Sequence, residues 1–251
     1  MKSFFRLILS ATVLFTVCLP VSAVEFDHND KILVIGATGR TGSLIVADLH
    51  KRGLSTVAMV RDIARGKNVL GKDVKLIKGD LTDTASLLVA TKGVKGIINA
   101  ASGSRKQANF KEVDYLGTVN LINAAKKNNV EKIVLLSSLG VTDKNHFLNK
   151  FANNVLIWKL EGEEALRKSG LSYSVIRPGG LIDESGGEKA IQFGQGDKIT
   201  GDIPRADVAT ICIEALLNRQ ATGKTIDIIS GDEAFIDAVD YQSIFHSLKK
   251  D

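Results

Sequence analysis

The sequence predicts an α/β protein: a doubly wound, mostly parallel sheet of about seven strands in a single domain. Short apolar β-type runs alternate with amphipathic helical patterns along most of the 251 residues. That order builds a parallel sheet covered by helices on both faces. The first run, Lys31-Ile-Leu-Val-Ile-Gly36, breaks into three glycines at Gly36, Gly39 and Gly42 and continues as a helix. No repeat, low-complexity tract or interdomain linker interrupts the pattern.

The glycine turn carries the first functional expectation. In a strand–turn–helix unit the first glycine allows the tight turn, the second lets backbone approach a pyrophosphate, and the third packs helix close to strand. Free amides and the positive helix end then face the anion. Gly36, Thr38, Gly39, Arg40, Thr41 and Gly42 are therefore the candidate dinucleotide-binding residues, the alternative being an ordinary glycine turn. The helix closes at Gly53, and a second strand, Ser55–Val60, ends in Arg61-Asp62. An arginine there matches a ribose 2′-phosphate and an acid matches the free 2′-hydroxyl. Arg61, with Arg40 as a second cation, favours NADP, since a guanidinium forks onto phosphate oxygens. NAD is the alternative, with Arg61 solvated and Asp62 on the ribose.

Further strands are expected at 74–79, 96–101, 132–138, 172–177 and 224–229, with helices at about 83–91, 109–127, 148–169 and 206–217 and a short one near the C-terminus. Pro178–Arg205 contains seven glycines and reads as one long irregular loop. A loop of that length in a compact domain is usually functional. Following the sixth strand, it is expected to overhang the carboxyl ends of the sheet as a substrate lid, residues 178–205.

Residues 1–23 read as a secretory signal peptide: Lys2 and Arg6, an apolar run from Leu7 to Leu19, then Val21-Ser-Ala23 before a cut. The run is short for a membrane span, so no stable span is expected after cleavage. Residues 24–251 would then form the mature domain, exported to a periplasm or secreted. An organelle lumen or plastid, reached through a secretory-type leader, is the alternative. Of the two cysteines, only Cys212 would remain, within an apolar helix and so read as a packing residue. Net charge is +5, and the basic residues are spread rather than clustered. This gives no footprint for nucleic acid. The four histidines lack metal-ligand spacing. His146, in the loop after the fifth strand, is a minor candidate for a proton donor.

Ile35-Gly-Ala-Thr-Gly-Arg-Thr-Gly42, Val60-Arg61-Asp62, Gly79-Asp80-Leu81, Asn99-Ala-Ala101, Leu136-Ser-Ser138, Lys159, Ile176-Arg-Pro-Gly-Gly180 and Ile203-Pro-Arg-Ala-Asp-Val208 occur in a characteristic order. Together they resemble the atypical short-chain dehydrogenases/reductases, a Rossmann-like group with NAD(P)H-binding, NmrA-like and flavin-reductase-like members. The resemblance covers nearly all of the chain after the leader. It implies that Asp80 and Leu81 cover the adenine, that Ala100, Ala101 and Ser102 pass close to a ribose, and that Arg177, Pro178 and Gly179 run beside the nicotinamide. For Asp80 the alternative is a simple turn or N-cap residue. Arg205 and Asp207 read as anchors between the lid and the following helix.

Typical members pair a serine at the end of the fifth strand with a tyrosine four residues before a lysine. Residues i and i+4 share a helix face, so the lysine can lower the tyrosine pKa while the phenol moves the substrate proton. Here the resemblance gives Ser138 and Lys159 as catalytic candidates, Lys159 also serving the nicotinamide ribose, but the tyrosine position holds Val155. Trp158 reads as core or cleft wall, the alternative being a stacking platform for a ring substrate. Two functions fit. One is an NADPH-dependent reductase of a flavin, quinone or similar conjugated acceptor, which can take its proton from water. The other is a redox-silent NADP(H)-binding module with a protein partner.

Overall fold

The computed structural model describes residues 26–234 and 239–251. The leader expected at 1–23 lies outside these residues. Ile32–Ile35 (β1), Gly96–Asn99 (β4) and Lys132–Leu136 (β5) are buried at every residue. Apolar on both faces, such runs can only be strands covered twice. They align with Thr56–Val60 (β2), Lys75–Lys78 (β3), Ser172–Pro178 (β6) and Lys224–Ala234 (β10) in the order β3-β2-β1-β4-β5-β6-β10, all parallel. All seven expected strands are present.

An eighth strand corrects the sequence reading. Lys189–Gly194 (β8) pairs antiparallel with β10 at the sheet edge, inside the stretch expected to be irregular. Gly180–Ile182 (β7) and Asp202–Pro204 (β9) form a separate two-stranded sheet. The 178–205 segment thus carries three short strands rather than irregular chain throughout. Arg205 Nη1 donates to Asp183 Oδ1 at 2.6 Å and the Gly187 amide to Asp207 Oδ1 at 2.7 Å, the two anchors expected from sequence. Ile191 and Phe193 of β8 pack onto the core, a period-two pattern that the neighbouring glycines masked.

Helices cover both faces. Arg40–Lys51 (α1) and Arg205–Leu217 (α7) pack on one side, with Cys212 fully buried and its thiol pushed up to about 12 by burial. Thr84–Ala90 (α3), Gly117–Lys127 (α4) and Val155–Arg167 (α6) cover the other. Ile63–Leu70 (α2), not anticipated, begins at Asp62, whose side chain accepts from the Arg65 amide at 3.0 Å. The helix expected over 148–169 is two, Phe147–Phe151 (α5) and α6, because Asn153 and Asn154 adopt left-handed backbone, a conformation Asn tolerates. The helix expected over 109–127 begins as a π-helical segment, Lys111–Leu116, and continues as α4. Tyr241–Ser247 (α8) closes the fold. Strand order reverses between β1 and β4, so the switch point, where open α/β sheets bind ligands, lies above their carboxyl ends.

Candidate functional site

Three glycines open that switch point, and each has a different constraint. Gly36 has φ +74°, and a Cβ there would sit 2.6 Å from the Ala101 amide nitrogen. A Cβ on Gly42 would lie 2.1 Å from the Gly36 carbonyl oxygen. Both glycines are dictated by the protein itself. A Cβ on Gly39 would meet only the Gly36 oxygen, at 3.1 Å, and otherwise point into open space. Gly39 is also the N-cap of α1, which carries no side-chain cap and no acid in its first turn. The amides of Arg40, Thr41 and Gly42 therefore lack intrahelical acceptors, whereas Asp62 and Asp83 cap α2 and α3. This is a cradle for an anion.

A groove runs from this cradle over β2, lined by Gly36, Thr38 and Gly39, by Arg61 and Arg65 after β2, by Asp80 and Leu81 after β3, and by Ala100, Ala101 and Ser102 after β4. Sequence reading placed nearly all of these. It missed Arg65, which joins Arg61 on the groove through the unforeseen first turn of α2. Arg40 is corrected: its guanidinium pairs with Asp183 at 2.7 Å and does not line the groove. Asp62 is engaged as the α2 cap. Asp80 Oδ1 accepts from the amide and hydroxyl of Thr82 at 2.9 and 2.8 Å, so its carboxylate shapes the turn. These residues fit a dinucleotide: a free helix start, small residues at the close approaches, and two cations at one end.

Lys159 sits on α6 and lines a small pocket with Ala101, Asp114 and Ser137, not the groove itself. Its Nζ is 2.8 Å from Asp114 Oδ1, and these side chains are 13% and 3% exposed. Asp114 Oδ2 accepts from the Gly103 amide at 2.7 Å and from the Ser102 hydroxyl at 3.3 Å. The carboxylate therefore ties the lysine to the loop that follows β4. Asp114 was missed in the sequence, yet Asp114, Thr118, Leu121 and Ala125 fall at helical spacing on one buried face. An acid on an apolar face implies a buried partner.

Beyond this point lies a second cleft of about 630 Å³, lined by Ser138, Pro178, Gly179, Leu139, His146 and Phe147 among others. Ser138 Oγ donates to the Leu139 carbonyl at 2.9 Å. The Leu148 amide donates to His146 Nδ1 at 3.2 Å, so a neutral ring carries its proton on Nε2. Asp197 closes the floor by accepting from Gly140 and Thr142; burial opposes its charge, but these bonds hold its pKa below the ordinary value. Arg177 does not reach the cleft, being buried in a two-point pair with Glu163 at 3.0 and 2.5 Å.

No phenol enters the cleft. Val155 is buried with Phe110, Ala152 and Leu156. Tyr115 stacks on Trp158 at 6.3 Å. The Tyr173 hydroxyl donates to Asp251 at 3.0 Å, and burial pushes its pKa up to about 12. Tyr241 packs in an aromatic cluster with Phe193 and Phe245. Trp158 is thus packing rather than a ring platform. Among the described residues no helix is long and apolar enough to cross a membrane.

The family model described as NAD(P)H-binding matches residues 36–219, and the chain belongs to that family. An uncharacterised chloroplastic protein of Arabidopsis thaliana is 35% identical, over 86% of this chain and 74% of its own. Sanguinarine reductase of Eschscholzia californica is 32% identical, over 87% and 97%. Among solved structures, the oxidoreductase ylbE of Lactococcus lactis superposes with a TM-score of 0.73 at 25% identity, over 87% and 96%.

Proposed function

We propose that the protein is an NADPH-dependent reductase whose acceptor is a flavin, quinone or similar small conjugated ring. One observation carries the reading: the loop after β4 borders both the glycine-turn groove, through Ser102 and Ser104, and the apolar cleft, through Arg105. A cofactor in the first can face an acceptor in the second. Similarity to a reductase over nearly the whole of both chains supports it.

In this reading Gly36, Thr38, Gly39 and the amides of Arg40, Thr41 and Gly42 hold the pyrophosphate. Arg61 and Arg65 take the 2′-phosphate by charge-assisted hydrogen bonds. Leu81, Ala100, Ala101 and Ser102 let the adenosine lie flat, with the Asp80 turn at its edge. Lys159, fixed by Asp114, donates to the nicotinamide ribose, while Pro178 and Gly179 flank the ring and Ser138 faces the acceptor. When bound, a reduced nicotinamide supplies a hydride, which the acceptor takes together with one solvent proton. No phenol is then needed. Lys159→Ala is expected to weaken NADPH and to slow reduction of a flavin or quinone. Unchanged affinity and rate would remove Lys159 from the site.

The buried Val155 at the tyrosine position favours a second reading, a redox-silent, NmrA-like NADP(H)-binding module that works through a protein partner. Tight NADPH binding without oxidation by any acceptor would select it. The chloroplastic relative supports placement in a plastid, with export by a signal peptide as the alternative; fractionation of the native host separates them.

A further inference from the structure

The acceptor cleft has an uneven balance of hydrogen-bonding groups. Of its two carboxylates, Asp197 is engaged through both oxygens and Asp143 through Oδ1 alone. Asp197 accepts from the Gly140 amide at 2.6 Å and from the Thr142 amide and hydroxyl at 2.9 and 2.7 Å. Asp143 accepts from the Asn145 amide at 2.9 Å within its own loop. The donors are not so engaged. Arg105 lines the cleft, is exposed, and makes no ion pair or hydrogen bond through its side chain among the described residues. Arg205, which also lines the cleft, is 8% exposed at its side chain and uses only Nη1, on Asp183. Its Nε and Nη2 have no acceptor among the described residues. The same cleft is lined by Leu139, Leu181 and Ile199, and by the Phe147 ring stacked 4.7 Å from that of His146.

We propose that this cleft selects a planar conjugated acceptor that carries an anionic group, a phosphate or carboxylate, with the ring against the apolar wall and the anion held by Arg105 and the free edge of Arg205. The physical reason is complementarity of what is left over. Unsaturated cationic donors beside an apolar surface reward a ligand that is apolar over most of its area and negative at one end. Arg205 is pre-positioned by Asp183, so little side-chain freedom is lost when an anion arrives. Arg105 is the free partner and sets the preference.

The inference rests on the reading that this cleft holds the acceptor, and a matched pair of probes tests the two separately. FMN and riboflavin share one ring system and differ by a phosphate. Equilibrium binding of each to the NADP⁺-loaded protein, followed by flavin fluorescence, reads the site without turnover; steady-state reduction by NADPH reads the activity. FMN is expected to bind at least about tenfold more tightly than riboflavin, the scale of one hydrogen bond to a charged group. Arg105→Ala should bring that ratio toward one, and Arg105→Lys should keep part of it. Equal affinities in the wild type, or an Arg105→Ala loss of the same factor for both flavins, overturns the anion preference. An Arg105-dependent FMN preference without reduction of either flavin upholds the anion site and removes flavins from the acceptors of the reductase reading.

Discussion

Lys159 and Asp114, 45 residues apart in sequence, meet in a 2.8 Å ion pair beside Ala101 and Ser137. The second oxygen of the carboxylate holds the Gly103 amide and the Ser102 hydroxyl, so one side chain aligns both a helix and a loop.

Removing one partner of a buried pair leaves the other charge without compensation, which typically costs about 3–5 kcal/mol. Asp114→Ala should show a loss of that order in denaturant unfolding. Asp114→Asn, which keeps an acceptor for Gly103, should be milder in stability but still weaken NADPH because Lys159 is released. Wild-type affinity in Asp114→Asn would show that the pair is structural only.

Cofactor choice should follow the two arginines after β2. Arg61→Ala should weaken NADPH by about 1.5–3 kcal/mol, the value of a hydrogen bond to a charged group, with little change for NADH. Arg65→Ala should shift binding in the same direction. Fluorescence titration of both cofactors decides; equal losses for NADPH and NADH would mean that neither guanidinium reads the 2′-phosphate.

Placing a tyrosine where typical relatives have one should not restore carbonyl reduction. Val155 is 8% exposed and packed against Phe110 and Leu156. Val155→Tyr therefore overfills a closed cluster, at about 1–3 kcal/mol. Thermal unfolding should register the loss while activity with small aldehydes stays at background. A stable variant with new aldehyde turnover would show that the residue 155 side chain reaches the cleft.

The buried Lys132 makes stability depend on pH. Its Nζ donates to the carbonyls of Ala215 and Asn218 at 2.6 and 3.0 Å, and burial pushes its pKa down to about 7 from 10.5. Between those values the unfolded chain binds the extra proton, so stability should rise with pH from about 7, by on the order of a few kcal/mol. Above about 10 the reverse sets in, because burial raises Tyr173 and Tyr241 to about 12 while the unfolded phenols ionise. Urea unfolding across this range, repeated on Lys132→Met, should show a rise in the wild type and a flatter profile in the variant. A parallel rise in both would assign the effect elsewhere.

The seven parallel strands were legible because each is a short apolar run bounded by glycine or charge, and the glycine turn was legible because its constraints are local. What escaped was partly local and partly set by contacts at a distance. Asn153-Asn154 passed unread as a break, although Asn tolerates the left-handed backbone that separates α5 from α6. Arg65 was hidden because Asp62 was weighed as a ribose ligand, although an Asp whose side chain reaches the amide three residues on is a helix-start signal. The Arg40–Asp183 and Lys159–Asp114 pairs join segments 143 and 45 residues apart, and only the fold brings them together. In the 178–205 segment the glycines outweighed the alternation of Ile191 and Phe193, though the sheet edge uses that alternation to build β8.

The reductase reading is tested most directly by a single turnover. Protein loaded with NADPH is mixed with excess FMN or a quinone, without oxygen, and the absorbance of the reduced nicotinamide is followed. A first-order decay whose rate saturates with acceptor, and slows in Lys159→Ala, is the predicted result. Tight NADPH binding with no decay toward any flavin or quinone would contradict it and identify the protein as a redox-silent binding module.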